Sequence, residues 1–373
     1  MLYSFQRLQL PDNKLSGNLP SLRGMDSLER IFLDDNDLSG DISTAFDTLT
    51  ELRFVFLEDN NFGGTLDEFF MADCEKLIQI DISDNSLEGD IPIHMLEFPD
   101  IQVIDIHGNF IDGALPSSYP PSNLLFFALH DNDVTGQIDG SISNLFNLFH
   151  LDLSNNDLSG EIASEIGEMT NLTYLFLGEN GYDESFFPDS FANLTNMEEF
   201  SVKSSNFIGE LPEFISTWTS LKLLDMDGNQ FQQQIPLSWG DLVNLEFLLL
   251  NDNLLTGPFP PSFKNLVNLR AGFFENTGIS GNMTIMCELP NFQELDNDLD
   301  GNELLVADCV PSDTITVECG CCICCDKDSD NEDRKCNDHE LIANLDPTWE
   351  FIYNRVSYDF GNETRFVSRD FLS

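Results

Sequence analysis

Residues 148 to 162 read LFHLDLSNNDLSGEI, a frame of spaced apolar residues around one asparagine. The same frame returns along most of the chain at steps of 23 to 25 residues. The recurring asparagines are Asn13, Asn36, Asn60, Asn85, Asn109, Asn132, Asn156, Asn180, Asn229 and Asn253, and Ser205 and Thr277 take two further places in the register. A fixed period of this length predicts a repeat architecture in which each coil packs on its neighbours. We therefore predict a solenoid of about twelve coils.

Each repeat predicts one short strand followed by a turn. The segment with the pattern LxxLxL alternates apolar and other residues, which is typical of a strand, and strands of successive coils pair in parallel. The asparagine follows the strand, where its amide can bond backbone groups that the turn leaves unpaired. A glycine comes four residues later in most repeats and a proline often three residues after that, as at Gly113 and Pro116.

This pattern resembles the plant-type leucine-rich-repeat family over roughly residues 5 to 290. The resemblance implies an α/β repeat solenoid of about twelve 24-residue coils, wound as a right-handed superhelix. It also implies a parallel β-sheet on the concave face, a short second set of strands near the Gly–Pro segment, and 3-10 turns on the convex face. We expect the solenoid at 1–300, a cysteine-rich acidic cap at 301–338, and a tail of uncertain structure at 339–373.

Composition excludes several classes of function. The 373 residues carry a formal net charge of −50, which argues against nucleic acid and anionic membranes as partners. We find no run of apolar residues long enough for a transmembrane span. No signal peptide is visible before the first repeat, so we expect a truncated N-terminus. No catalytic motif is recognisable, and we expect neither an enzyme nor a cofactor.

Most of the cysteines fall near the C-terminus. Two interpretations compete, a cap held by disulfides and a metal site, and the lack of two separated CxxC pairs favours disulfides. The candidate disulfide cysteines are Cys287, Cys309, Cys319, Cys321, Cys322, Cys324, Cys325 and Cys336, whose pairing the sequence leaves open. The cluster from Cys309 to Cys325 is similar to that of diatom-type algal leucine-rich-repeat proteins, which implies a cell-surface or secreted protein.

Four sequons mark candidate glycosylation sites. They begin at Asn171, Asn193, Asn282 and Asn362. Such sites fit an extracellular glycoprotein, although a chain this rich in asparagine yields sequons by chance.

The strand register predicts which side chains share the concave face. Because side chains alternate along a strand, residues four and six positions before each asparagine face outward, and we expect them to be solvent-exposed. Exposed aromatic side chains are typical of binding surfaces. The candidate ligand-binding residues are Phe32, Phe54, Phe56, Asp81, Asp105, His107, Phe126, His130, His150, Asp152, Tyr174, Phe176, Phe247 and Phe273.

Three of the five histidines fall close together in this register, beside Asp105 and Asp152. His107 and His130 occupy the same column on adjacent coils, and His150 lies nearby. One hypothesis is that the patch senses pH or binds a divalent metal ion. The alternative is a hydrated polar patch, and we predict no metal site.

We expect a non-catalytic recognition protein, receptor-like and extracellular or attached to the cell surface. Its ligand would be a protein, peptide or glycan bound on the concave face, and its oligomeric state is open. Two alternatives are an inhibitor of a secreted wall-degrading enzyme, as in the polygalacturonase-inhibitor relatives, and an acidic wall protein that gathers calcium.

Overall fold

A computed structural model describes residues 5–67, 69–292, 304–308, 317–324, 357–359 and 364–366. The chain forms two units. Unit 1 comprises Met1–Asp183 and Pro188–Leu194, and unit 2 comprises Glu184–Phe187 and Thr195–Ser373. All the helical turns in the described residues are 3-10 helices. None of them has the length and apolar character that a membrane crossing requires.

Each unit has a main sheet with one strand per coil. The strands of the main sheet of unit 1 are Arg7–Gln9, Arg30–Phe32, Phe54–Phe56, Gln79–Asp81, Val103–Asp105, Phe126–Ala128, His150–Asp152 and Tyr174–Phe176. Those of unit 2 are Glu199–Ser201, Leu223–Asp225, Phe247–Leu249, Ala271–Phe273, Leu304–Ala307 and Ile323–Cys324. Neighbouring strands within each unit pair in parallel and in register, as Val103 with Phe126.

A second set of strands follows the recurring asparagines, which we call the asparagine ladder. In unit 1 these strands are Ser16–Asn18, Asp37–Asp41, Asn61–Leu66, Ser86–Gly89 and Phe110–Ile111, with the separate pair Thr135–Gly136 and Asp157–Leu158. In unit 2 they are Ser185–Phe186, Phe207–Glu210, Gln230–Gln233, Leu254–Pro258, Gly278–Asn282 and Val317–Glu318. Ser357–Asp359 and Thr364–Phe366 pair antiparallel.

The 3-10 helices complete the coils. In unit 1 they are Ile93–Glu97, Gly140–Asn144, Ser164–Glu168 and Asp189–Asn193. In unit 2 they are Glu213–Thr217, Leu237–Asp241, Pro261–Asn265, Thr284–Glu288 and Pro290–Phe292. The predicted solenoid, with parallel sheets and 3-10 turns, is confirmed. The main sheet of unit 2 continues past residue 300, the expected boundary between solenoid and cap. The sheet therefore gives no boundary there, and the domain limits stay a prediction.

The recurring asparagine links each coil to the one before it. The Asn132 side chain accepts a hydrogen bond from the Ile111 amide of the preceding coil at 2.9 Å and donates to the Ile106 carbonyl of that coil at 3.1 Å. Its amide also reaches the Leu129 and His130 carbonyls of its own coil, both at 3.1 Å. Asn132 and Ile111 are both buried, so loss of the Asn132 side chain would leave the Ile111 amide without this partner. The three carbonyls each accept a second hydrogen bond, from Asn109, Asn156 or the Gly108 amide. These hydrogen bonds give the ladder asparagine the structural role that the sequence predicts.

A second asparagine column, which the sequence analysis missed, lies at the turn before the main-sheet strands. Each member donates to a backbone carbonyl of the preceding coil, as Asn147 to Ser122 at 3.3 Å and Asn171 to Phe146 at 2.9 Å. The others are Asn123, Asn244 and Asn268. Where such an asparagine is present, asparagine side chains join adjacent coils at both ends of the strand.

We expect Asn132→Ala to destabilise unit 1 by about 2–4 kcal/mol, because it removes four hydrogen bonds, among them the one to the buried Ile111 amide. Asn123→Ala is the matched control, since the exposed Asn123 makes one bond, to Pro99, and its loss should cost less than about 1 kcal/mol. Urea unfolding followed by circular dichroism compares the two. Equal unfolding midpoints for both variants would contradict the role assigned to the ladder.

Candidate ligand-binding face

The candidate residues lie on one side of the main sheets. The middle residue of each strand, such as Ile104, Phe127 or Leu151, is buried in the core. Its two neighbours therefore point to the opposite side, because side chains alternate along a strand. We call that side the sheet face of each unit. His107 and His130 follow their strands by two residues, so they belong to the same face.

The expectation that this face is solvent-exposed is wrong for most of its residues. Nine of the fourteen candidates are buried, namely Phe54, Phe56, Asp81, Asp105, Phe126, His150, Asp152, Phe247 and Phe273. Phe32, His107, His130, Tyr174 and Phe176 are half-buried. Parallel strands in register place like positions about 4.8 Å apart, so each ring covers the next. The ring centroids of Phe32 and Phe56, for example, are 4.9 Å apart.

The polar centre of the face lies in unit 1. We call His107, His130, His150, Asp81, Asp84, Asp105 and Asp152 the histidine cluster. His107 and His130 stack with ring centroids 4.2 Å apart and planes 9° from parallel. His107 Nδ1 lies 2.6 Å from Asp105 Oδ1, and its Nε2 lies 3.3 Å from Asp84 Oδ2. His130 Nδ1 lies 3.3 Å from Asp152 Oδ2.

Asp84 was not among the sequence candidates. It precedes the ladder residue Asn85 and has a positive φ of 48°, a conformation that aspartate tolerates better than most residues. The next coil has Gly108 at that position with φ +61°, and a Cβ there would lie 2.6 Å from Asp84 Oδ1. Gly108 thus leaves room for the carboxylate beside His107. The recurrence of aspartate directly before the ladder asparagine is the sequence signal that could have identified it.

Hydroxyl groups hold two carboxylates of the cluster in place. Ser83 Oγ donates to Asp81 Oδ1 at 2.7 Å. Ser154 Oγ donates to Asp152 Oδ1 at 2.6 Å, and the Ser154 amide donates to the same oxygen at 3.0 Å. The acids of the face are therefore fixed before any ligand arrives, which lowers the entropy cost of binding.

The two central histidines differ in the direction of their pKa shifts. Burial lowers the pKa of His107, but the charges of Asp105 and Asp84 and hydrogen bonds to both outweigh it, so the net pKa is well above the usual value. Burial lowers the pKa of His150 well below its usual value, and His130 and His107 lower it further. Burial and then Asp105 raise the pKa of Asp81. At neutral pH His107 is charged and His150 is neutral.

His150 has an apolar environment. Its ring stacks on Phe126 with centroids 4.2 Å apart, and Tyr174 and Phe176 lie at 5.7 and 5.9 Å. Neither ring nitrogen has a hydrogen-bond partner among the described residues. Charging this ring would therefore cost free energy, which explains the direction of its pKa shift.

The geometry gives no support to a divalent metal ion in the histidine cluster. Among the described residues, the only trio of possible ligands that converges within 4.8 Å is Cys287, Cys319 and Cys321. Those sulfurs are engaged in disulfides, because Cys287 pairs with Cys321, and Cys319 with Cys322. Cys309, Cys325 and Cys336 lie outside the described residues, and Cys324 is described only as part of a strand backbone.

Three of the four sequon asparagines lie away from the sheet face. Asn171, Asn193 and Asn282 are exposed, and Asn362 lies outside the described residues. Their glycosylation stays a prediction.

The chain is similar to known repeat proteins. The family model for Leucine Rich Repeat matches residues 147–169, 220–242 and 244–266. Receptor-like protein 31 of Arabidopsis thaliana is 35% identical over 235 residues, which cover 62% of this chain and 27% of that protein. Receptor-like protein 39 of the same plant is 33% identical over 191 residues, covering 50% of this chain and 19% of that protein.

Solved structures are similar in fold. The ectodomain of the Arabidopsis receptor kinase HAESA, in complex with an N-terminally extended IDA peptide hormone, superimposes with a TM-score of 0.69 at 25% identity, over 83% of this chain and 51% of that one. The plant peptide hormone receptor RGFR1, in complex with RGF2, gives a TM-score of 0.65 at 27% identity, over 78% and 50%. The chain thus spans about half of these structures, 27% of receptor-like protein 31 and 19% of receptor-like protein 39.

We expect His150→Phe to make the stability of unit 1 less sensitive to acid. Because the folded-state pKa of His150 is depressed, the unfolded chain takes up a proton below about pH 6.5 while the folded chain does not. Folding stability is therefore lost as pH falls from about 6.5, by at most about 1.4 kcal/mol per pH unit for this group. His107, whose pKa is raised, contributes stability that is lost only as pH rises.

Urea unfolding at pH 6.5 and pH 5 measures this effect. The His150→Phe variant should lose less stability over that interval than the unchanged chain. His94→Phe, outside the histidine cluster, is the control for removing a histidine. An equal loss of unfolding free energy in the unchanged chain and in the His150→Phe variant would contradict the interpretation.

Proposed function

We propose that this chain, a plant-type leucine-rich-repeat protein, recognises an extended basic peptide segment on the sheet face of unit 1. The chain is not an enzyme, since the relatives and neighbours above are receptor-like proteins and ectodomains that bind ligands. Two of the neighbouring ectodomains are complexes with peptide hormones. These similarities support a ligand-binding role. The chemistry of the ligand is inferred from the residues of the site.

The observation that carries the proposal is the partly exposed, stacked pair of His107 and His130 with carboxylates on both sides. The Asp84 side chain retains 36% of its exposure, and that of His107 retains 21%, so both are accessible to a ligand. Asp105 and Asp152 are buried beside the two rings. The carboxyl groups of Asp84, Asp105 and Asp152 lie beside the two rings, which makes the centre attractive to lysine and arginine side chains.

Tyr174 and Phe176 extend the face with apolar surface. Both are half-buried and lie against His150. Partly exposed aromatic rings beside a charged centre are typical of positions where a ligand buries its apolar side chains. A peptide bound across the strands would contact the histidine cluster and then Tyr174 and Phe176.

The overall charge supports a basic partner. A net charge of −50 attracts basic ligands over long distances and raises their rate of encounter. We place the protein at the cell surface or outside the cell, as the receptor-like relatives and the disulfides suggest. The inhibitor and calcium-gathering alternatives stay predictions.

The test is selection from a random peptide library on the immobilised full chain at pH 7. We expect the enriched peptides to be rich in lysine and arginine. They should bind the double variant Asp84→Asn/Asp152→Asn about tenfold more weakly or worse, because each lost charge contact at a binding centre costs about 1 kcal/mol or more.

The control separates the site from the general charge of the molecule. Asp73→Asn/Glu161→Asn removes two exposed carboxylates that lie outside the sheet face and leaves the same net charge as the test variant. Equal affinity losses in the two double variants, or enrichment of neutral and acidic peptides, would overturn the proposal.

A further inference from the structure

Four cysteines of unit 2 converge at the last described coils. Cys287 belongs to the 3-10 helix Thr284–Glu288. Cys319, Cys321 and Cys322 follow the strand Val317–Glu318, which pairs in parallel with Gly278–Asn282. This pairing brings the two segments side by side, and the disulfides Cys287–Cys321 and Cys319–Cys322 form there.

The two disulfides touch each other. Cys319 Sγ lies 3.9 Å from Cys287 Sγ and 3.9 Å from Cys321 Sγ. The sulfur of one bridge is therefore in van der Waals contact with both sulfurs of the other. All four cysteines are only half-buried, so a soluble thiol can reach the site.

We propose that these two bridges form a thiol–disulfide exchange site in which Cys319, once released from Cys322, attacks the Cys287–Cys321 bridge. Cys319 and Cys322 have the CxxC spacing of Cys319-Gly320-Cys321-Cys322, a spacing that recurs in exchanging dithiols. The chemical class of the co-reactant is a soluble dithiol. The site would let these coils respond to the redox state of the protein's surroundings.

The first step consumes the dithiol. One of its thiolates attacks Cys322 Sγ, the Cys319–Cys322 bond breaks, and Cys319 leaves as a thiolate. The second thiol of the reductant then displaces Cys322 and closes a cyclic disulfide. Two electrons have passed from the dithiol to the protein, and the two protons of the dithiol remain on the released cysteines or pass to solvent.

The second step moves no net electrons. The Cys319 thiolate attacks Cys287 Sγ, a new Cys287–Cys319 bond forms, and Cys321 leaves as a thiolate. In the oxidised structure Cys319 Sγ lies beside the Cys287–Cys321 bond, at equal distances from its two sulfurs. Release from Cys322 frees the side chain to rotate into line with that bond.

In the product, Cys287 is still bonded to the segment that follows the strand, but through Cys319 and not through Cys321. Cys287 would be bonded two residues earlier in the segment, directly after the strand Val317–Glu318. Cys321 and Cys322 would become adjacent free thiols. Attack at Cys321 Sγ would instead release Cys287, and the 3-10 helix would lose its covalent link to the segment. We favour attack at Cys287 Sγ because it preserves a covalent link.

The test compares two serine variants of the full chain made under oxidising conditions. Cys322→Ser leaves Cys319 as a thiol next to the intact second bridge, whereas Cys319→Ser removes the attacking sulfur and leaves the same number of cysteines. Free thiols are blocked with N-ethylmaleimide, the unreduced protein is digested, and mass spectrometry identifies the partner of Cys287.

We expect the Cys322→Ser protein to contain a Cys287–Cys319 bridge with Cys321 blocked, in addition to Cys287–Cys321. The Cys319→Ser protein should contain Cys287–Cys321 alone. If Cys287 is bonded only to Cys321 in the Cys322→Ser protein, or to a cysteine outside the four, the proposal fails.

A second measurement needs no variant. The unchanged protein is titrated with dithiothreitol and blocked at each step. Exchange predicts that Cys321 becomes blocked together with Cys322 while Cys287 remains bonded to Cys319. Blocking of Cys319 and Cys322 with the Cys287–Cys321 bridge intact would show that the two disulfides act independently and would overturn the proposal.

Discussion

The hydrogen bonds of the ladder asparagines are the interaction on which the rest of the structure depends. From Asn36 onward, each amide group accepts from and donates to backbone groups of the preceding coil while also bonding its own turn. Asn156 does so with Val134, Leu129 and Ser154. A coil cannot shift along its neighbour without breaking several of these bonds at once. Strands within a unit are therefore held in one register, and like positions form columns. Where the register holds Thr277, the hydroxyl bonds only its own coil, at Phe274, and Asp308 accepts from the Thr277 amide instead.

The candidate site follows from those columns. His107 stacks on His130 because both occupy the same place on adjacent coils, and Asp84 reaches His107 because it belongs to the coil before it. The same close spacing buries most of the face, so the proposed binding site consists of a few partly exposed groups in the centre. Different neighbours also separate His107 and His150 chemically. His107 has carboxylates on both sides, and His150 has aromatic rings, so one pKa is raised and the other lowered.

The sequence predicted the fold well because a fixed period of apolar residues and asparagines allows few alternatives. It also predicted that His107 and His130 share a column. It did not predict that the rings of Phe56 and Phe126 are buried, because alternation gives the direction of a side chain and not how much its neighbours cover it. Asp84 was missed because its role depends on a positive φ and on the space that Gly108 leaves. The pairing of the cysteines could not be predicted, because many pairings are possible and the spacing of the cysteines does not select one.

Hydrogen–deuterium exchange of the full chain, with and without the most enriched basic library peptide, tests the central claim most directly. The account predicts that bound peptide slows exchange on the sheet face of unit 1, in residues 103–108, 126–131 and 150–154, while the 3-10 helices exchange at unchanged rates. Protection centred on the 3-10 helices or on unit 2, with the histidine cluster unaffected, would contradict it.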